Sequence, residues 1–503
     1  MTLTSPQFFP YGTAAVAWTG GGNADWSHDG RLLIQEDPAN PVTITGYAPS
    51  WDASTRQNGA MLGLPGWMEQ GQCGMDGRMS NFGNPANLLR TDVPCVVPVN
   101  QVFCISTSHE PFTAHYVPSD YPTTNTSRSV IDYMSFVCVV PYDPVSQSGN
   151  YFAPPLLGMN ALANWSRSEP IIRTRMTGAF PDVVDLSAIM TALGGTYPDD
   201  IDDLYDNLNL FFARPSGDIF SGWATDGATP SNQHPGYGTW LAAKVSEAMV
   251  LLCALDSQID GSAKIVLATK LCQWGLDLMP GFLDGRQNYS DGGHCAGRKG
   301  LICFAGYALK IHELLHCSDL FANAAPATPW AKAPFREDGA YFFLPNGAWF
   351  NGGAAGTDIW TAGWRKNSTV NDPIVDGTLW NTTPTHATWG ASYKFPGCWA
   401  SQVAAYMGAS VRADIGQALF WNLVQDMYPT SDIIRGWSQA GVEMVRQWMG
   451  TQDAQMLTDL QAVGFDTTTT GPPDQRDLPF GLDYTGDPGI VGLCATAWTN
   501  HAV

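Results

Sequence analysis

Short apolar runs open the chain. Up to about residue 155, β-branched and aromatic residues gather in stretches such as Arg31–Ile34, Val42–Tyr47, Val93–Val99, Val102–Ser106 and Tyr133–Val140. Gly, Pro, Asn and Asp part them. Strands spaced by turn residues, with no helical period between them, predict an antiparallel β-sandwich or jelly roll over 1–155. Pro141 to Pro144 and Tyr151 to Pro155 mark the exit from it.

After about residue 156 the period changes. Trp240–Leu255, Lys264–Met279 and Gly300–Leu320 repeat apolar residues at helical spacing. In the third, Leu301, Phe304, Ala308, Ile311 and Leu315 form one stripe. Further helices are predicted at Trp399–Gly408, Ile415–Met427, Trp437–Met449 and Asp453–Val463. No strand alternates with these helices, which argues against a Rossmann or TIM fold. Helices side by side in a ring, an α/α toroid over 156–466, would bury the stripes and leave a cleft lined by loops. Residues 321–397 are the least regular part, with a hairpin predicted over Gly339–Phe350. From Thr467 to Val503 Pro and Gly dominate, and an extended tail is expected. The class is α+β and multidomain.

Composition narrows the function. A chain of 503 residues that is 44% hydrophobic and 12% aromatic can bury a large core, which excludes a disordered protein. The net charge of −21, with no basic run, excludes a nucleic-acid partner, because a duplex-binding face needs Lys and Arg to replace counterions. Eleven cysteines cannot all pair within the chain, and none forms CxxC, so a zinc ribbon is not expected. Cys253, Cys272 and Cys303 sit in apolar helical runs and read as small buried hydrophobes. The expectation is a chain folded in a reducing cytoplasm. Its start lacks the charged and apolar regions of a Sec signal, and no apolar run approaches the ~18 residues of a membrane span. Release by lysis, as part of a virion or similar particle, is the expected way out. Other virion proteins or copies of the same chain are the expected protein partners.

The densest polar segment runs from Arg286 to Lys299. Gly292 and Gly293 let its backbone turn tightly, and the next helix is expected to begin near His294. His294 and Arg298 are four apart and would share a face, placing an imidazole, a guanidinium and a helix N-terminus together. That suits an anion. One chemistry fits these residue types: β-elimination on a uronic-acid sugar, which needs no cofactor. Arg298 and Asn288 would neutralise the carboxylate. His294 or Tyr289 would take the C5 proton, and Tyr289 or Tyr237 would protonate the leaving oxygen. Arg286 and Lys299 add positive charge locally. A second cluster, Ser231 to Trp240, carries His234 and Tyr237 into a helix and would face His294 in a toroid. Trp360, Trp364, Trp380 and Trp389 crowd an irregular segment, and Trp364 and Trp389 are candidate sugar-stacking platforms.

Three alternatives stand beside this one. The same segment would serve equally as a helix cap with Arg298 paired to a core carboxylate. His312, Glu313 and His316 match HExxH, with Glu337 as a third zinc ligand, although both histidines fall on the flank of the apolar stripe. Asp218, Asp226, Asp284 and Asp291 offer carboxylate pairs for glycoside hydrolysis, while Asp199 to Asp203 reads as a solvated helix start.

The run Asp291 to Gly306 contains Gly-Gly-His, two variable residues and Gly-Arg-Lys, then an apolar stretch ending Phe-Ala-Gly. It resembles a signature of largely uncharacterised bacterial and phage-associated proteins. Pro235 to Gly238 and the Trp399 to Ala405 helix are similar to further motifs of that group, in the same order, so that the resemblance spans roughly residues 150–450. Gly300 and Leu301 depart from it, standing where the group has Trp-Pro. The resemblance implies a β-rich domain before an α/α toroid, the plan of alginate- and heparinase-type polysaccharide lyases. HExxH is not part of the pattern. The function expected is a lyase-like depolymerase of an acidic glycan. The alternative is a non-catalytic tail or spike protein that grips cell-surface glycan.

Overall fold

The computed structural model describes residues 5–10, 14–27, 29–52, 54, 58–62, 92–99, 101–108, 131–147, 152–153, 180–194, 200–212, 239–283, 297–321, 335, 337, 341–343, 349–351, 413–438, 441–442, 445 and 490–501. It is an α+β structure with two sheets in its first part. The strands are β1 (Gln7–Phe8), β2 (Ala15–Thr19), β3 (Ala24–Trp26), β4 (Leu32–Gln35), β5 (Thr43–Ala48), β6 (Gly59–Leu62), β7 (Cys95–Val96), β8 (Val102–Ser108) and β9 (Ile131–Val140). One sheet has the order β1-β2-β5-β7 and the other β3-β4-β9-β8-β6.

The second sheet is buried on both faces, and its sequence shows why. Its strands carry unbroken apolar runs rather than alternation. Leu32, Ile34, Phe103, Ile105, Val137 and Val139 pack into one core with Val16, Trp18 and Ile44 of the first sheet. Their neighbours Leu33, Val102, Cys104, Phe136, Cys138 and Val140 turn the other way and join the helical core. Because side chains alternate along a strand, a run apolar at every position needs partners on both sides. The pairing also departs from the all-antiparallel expectation. β4 lies parallel to β9, Leu32 opposite Val137 and Gln35 opposite Val140, in the doubly covered centre where parallel strands are most at home.

The helices are α1 (Leu186–Ala192), α2 (Ile201–Phe212), α3 (Thr239–Leu252), α4 (Gly261–Leu283), α5 (Arg298–Leu309), α6 (His312–Leu315), α7 (413–427), α8 (Ile433–Trp437) and α9 (Ile490–His501). Every residue of α5 is buried, and α3 is nearly so. They are buried on all sides because α4, α3, α6 and α8 enclose α5, rather than on one stripe only. The acidic run opens α2 as expected: Asp200 accepts a hydrogen bond from the Asp203 amide at 2.7 Å, and Asp202 and Asp203 are exposed. The predicted hairpin is present as β10 (Tyr341–Phe343) and β11 (Trp349–Asn351), with Phe342 opposite Phe350.

Two helical expectations are corrected. The helix predicted over Gly300–Leu320 stops at Leu309. Lys310 takes a left-handed conformation (φ 57°), and the Ile311 amide donates to Gly306 O (2.8 Å) while the Lys310 amide donates to Tyr307 O (3.3 Å). This is a Schellman stop closed by a lysine instead of the usual glycine. The expected extended tail ends in a helix, α9, packed on α3 and α1. After Pro488 the sequence Ile490–His501 is mostly apolar and free of proline, so nothing breaks a helix there.

The central sheet is pinned to the helices by charge as well as apolar contact. Arg31, just before β4, donates from Nη1 to Asp277 Oδ1 of α4 at 2.9 Å and from Nη2 to Asp277 Oδ2. Its Nε meets Asp29 at 2.5 Å, and the guanidinium lies 5.4 Å from the Phe136 ring centroid. Burial works against the Arg31 charge, but Asp277 and Asp29 outweigh it and hold its pKa above the ordinary value. One turn away on α4, Gln273 exchanges two hydrogen bonds with the backbone of Ala153. Among the described residues no helix is long and apolar enough to cross a membrane.

Candidate functional site

Of the residues singled out for β-elimination, Arg298 and Lys299 are described; His294, Tyr289, Tyr237, His234, Asn288, Arg286, Trp364 and Trp389 lie outside the described residues, as do Asp218, Asp226, Asp284 and Asp291. What the structure defines is the frame on which the two polar segments end. The segment from Arg286 leads into α5, and the segment from Ser231 leads into α3.

Those two helix starts touch. Gly297, the N-cap of α5, has φ 85° and packs so closely on α3 that a Cβ there would lie 2.6 Å from Ala242 Cα. Both facts demand glycine. Three residues on, a side chain at Gly300 would collide with Oε1 of Gln417 on α7. Gln417 Nε2 in turn donates to Ala242 O and to Asp414 Oδ1, both at 3.4 Å. Ser246 of α3 donates to Ala413 O and accepts from the Gln417 amide at 3.2 Å. The first turns of α3 and α5 and the 413–417 turn of α7 therefore form one polar knot inside an apolar body.

The N-terminus of α5 differs from expectation in two ways. It begins at Arg298, four residues after His294. Its cap is also already occupied: the Gly297 amide donates to Glu337 Oε1 at 2.7 Å. Glu337 is itself fixed by Ser438, whose Oγ donates to Glu337 O at 2.9 Å. An internal carboxylate thus takes the place that helix electrostatics would offer to an external anion. Arg298 and Lys299 follow, each only 1% exposed. Lys299 Nζ lies 5.8 Å from the Phe335 ring centroid. Two cations on the first helical turn oppose the helix dipole, and their burial adds a desolvation cost.

The two histidines of HExxH stay on one helical turn. His312 is exposed on the one-turn α6, and His316 is its buried C-cap, its amide donating to His312 O at 2.9 Å. Their rings are 4.4 Å apart, and His316 Nε2 meets Asp432 Oδ1 at 3.2 Å. The break at Lys310 precedes both, and what the zinc reading lacks is its third ligand. Glu337 belongs to the other end of α5: Leu315 packs at Gly306, nine residues or about 14 Å along the helix from Gly297. Among the described residues no group of three His, Cys, Asp or Glu is arranged to hold a metal ion.

Sequence reasoning passed over Lys244, Glu247, Asp414, Gln417 and the capping role of Glu337. Lys244 and Glu247 carried a signal, an i,i+3 charge pair inside an otherwise apolar helix, and they form a buried ion pair at 2.8 Å. Glu337 carried none, since it meets Gly297 across 40 residues. No family model matches the chain, and neither characterised proteins nor solved structures match it.

Proposed function

We propose that this chain is a polysaccharide-active protein, a lyase-like depolymerase of an acidic glycan, with its site where the segments before α3 and α5 meet. In this reading the two sheets form a β-sandwich, and the helices form an α/α toroid open at that end. One observation supports it: Arg298 and Lys299 are buried together at the N-terminus of α5, directly after the Gly-Gly-His segment. Buried charged groups beside a cleft are candidates for a functional site. Because they are buried, they set a positive potential from beneath and do not grip the uronate. His294 and Tyr289 take the proton-transfer roles, Tyr237 and His234 stand opposite, and Asn288 and Arg286 hold the carboxylate. Trp364 and Trp389 stack on sugar rings.

The same burial favours a second reading, a virion or tail protein that binds surface glycan without turning it over. Incubation with a panel of uronate-containing polysaccharides separates them. The lyase produces unsaturated uronide, seen as near-ultraviolet absorbance, and His294→Ala lowers that rate by about 10²–10⁴-fold. Glycan retention with no absorbance, unchanged in His294→Ala, establishes the binding protein instead.

A further inference from the structure

We propose that Cys303 and Cys317 form a reversible dithiol–disulfide pair that staples the α5–α6 turn. On one continuous helix their sulfurs, 14 residues apart, would stand about 21 Å from each other at ~1.5 Å per residue. The Schellman stop at Lys310 folds the chain back and brings the two Sγ atoms to 3.9 Å. Neither is in a disulfide, and neither has exposed surface. A disulfide bond is ~2.05 Å long, so closure needs roughly 2 Å of movement. Cys317 begins a short 3-10 turn, Cys317–Phe321, rather than sitting inside a long helix, and a shift there disturbs little else.

The surroundings shape what oxidation would do. Cys303 Sγ also reaches Gly436 O of α8 at 3.5 Å, so the pair lies at the seam of α5, the 3-10 turn and α8. The turn between the two cysteines carries His312 and His316, and His316 contacts Asp432 beside α8. A bond from Cys303 to Cys317 therefore fixes the whole α6 reversal against α5. Access comes by local opening: α6 is four residues long and His312 and Glu313 are exposed, so it can lift without unfolding α4 or α5. The oxidant class is a small-molecule disulfide. One cysteine, as thiolate, attacks it, forms a mixed disulfide and expels a thiolate. The second cysteine then attacks the mixed disulfide, forms the Cys303–Cys317 bond and releases the other half. Two electrons and two protons pass from the protein to the oxidant, which leaves as two thiols.

This inference is independent of the glycan reading and is tested without it. The native full-length chain is incubated with oxidised glutathione, quenched in acid, alkylated while unfolded, and mapped by mass spectrometry. The expected result is a cross-linked pair of peptides holding Cys303 and Cys317, two mass units below their reduced sum and restored by dithiothreitol. Cys253 and Cys272, equally buried, remain fully alkylated. Cys317→Ser removes the cross-link, and Cys303→Ala does the same from the other side, so a folding failure in one variant is checked by the other. The oxidised protein unfolds a few degrees higher than the reduced one. Cys303 and Cys317 remaining thiols at every oxidant level the fold tolerates would overturn the proposal. So would equal oxidation of Cys253 and Cys272, or a cross-link that forms only after unfolding.

Discussion

Arg31 and Arg298 are both sealed arginines, and they occupy opposite kinds of place. Arg31 lies where two layers meet, enclosed by Asp277, Asp29 and the face of Phe136. Its charge is consumed in joining the central sheet to α4. Arg298 opens a helix, at the end where positive charge is disfavoured, and the segment before it carries the densest run of candidate chemistry. The first arginine joins two layers of the fold. The second stands where a polar segment of the sequence enters the core, at a helix end that Glu337 caps.

The comparison breaks first at Arg31. Asp277→Ala leaves a buried guanidinium with only Asp29, and the expected loss is about 3–5 kcal/mol of unfolding free energy by denaturant titration. Replacing Arg31, Asp29 and Asp277 together with apolar residues of similar volume should recover most of that loss, because the triad is a pin and not a working site. If the triple variant is as unstable as the single one, Arg31 has a role that the seam does not account for.

The second arginine is probed through its cap. Gly297→Ala forces an alanine into φ 85° and against Ala242, at an expected cost of about 1–3 kcal/mol. Under the glycan reading it also displaces the junction between the polar segment and α5, so turnover or binding falls further than the loss of folded protein explains. A fall in activity that only tracks the folded fraction would make Gly297 a packing residue and nothing more.

At the far end of α5, Lys310 closes the helix in a conformation that costs most residues about 1–2 kcal/mol. Lys310→Gly should therefore raise stability by about 1 kcal/mol, somewhat reduced by the greater freedom of glycine in the unfolded chain. This end is closed by backbone hydrogen bonds alone, while the other is closed by a distant carboxylate. The carboxylate-capped end adjoins the candidate glycan residues, and the other adjoins the Cys303–Cys317 pair.

Much of this was legible in the sequence, and the rest was hidden for physical reasons. Strands β4, β5, β8 and β9, helices α3, α4 and α7, and the β10–β11 hairpin coincide with runs whose period or turn residues announced them. The doubly buried sheet was visible in Phe136 to Val140, where every position is apolar, but its parallel neighbour was not, because pairing across the chain leaves no local mark. The stop at Lys310 was missed because lysine is not a residue that signals a left-handed cap. The last helix was masked by the Pro and Gly that precede it. At the site, Arg298 read as a group that neutralises a substrate carboxylate and Lys299 as added local charge, and nothing nearby announced that both would be buried or that Glu337 would arrive from 40 residues away.

The smallest expected effect is a pH dependence at the α6 end. Burial holds the His316 pKa below its ordinary value; Asp432 and Asp319 pull it upward, while His312 and Arg435 push it down, and the net shift is downward. A histidine with a lowered folded pKa binds protons more readily when unfolded. Its contribution to stability is complete above the unfolded value of about 6.5 and is lost as the pH falls through its lower folded value. Urea midpoints measured from pH 7.5 down to 5 should therefore decline. His316→Gln should flatten part of that decline, and the remainder includes His501, whose pKa burial also lowers. A slope unchanged by His316→Gln would mean that His316 titrates alike in the folded and unfolded chain, while a steeper decline in the variant would mean that the Asp432 contact keeps it protonated, so that the α6 end rests on an ion pair as the sheet seam does.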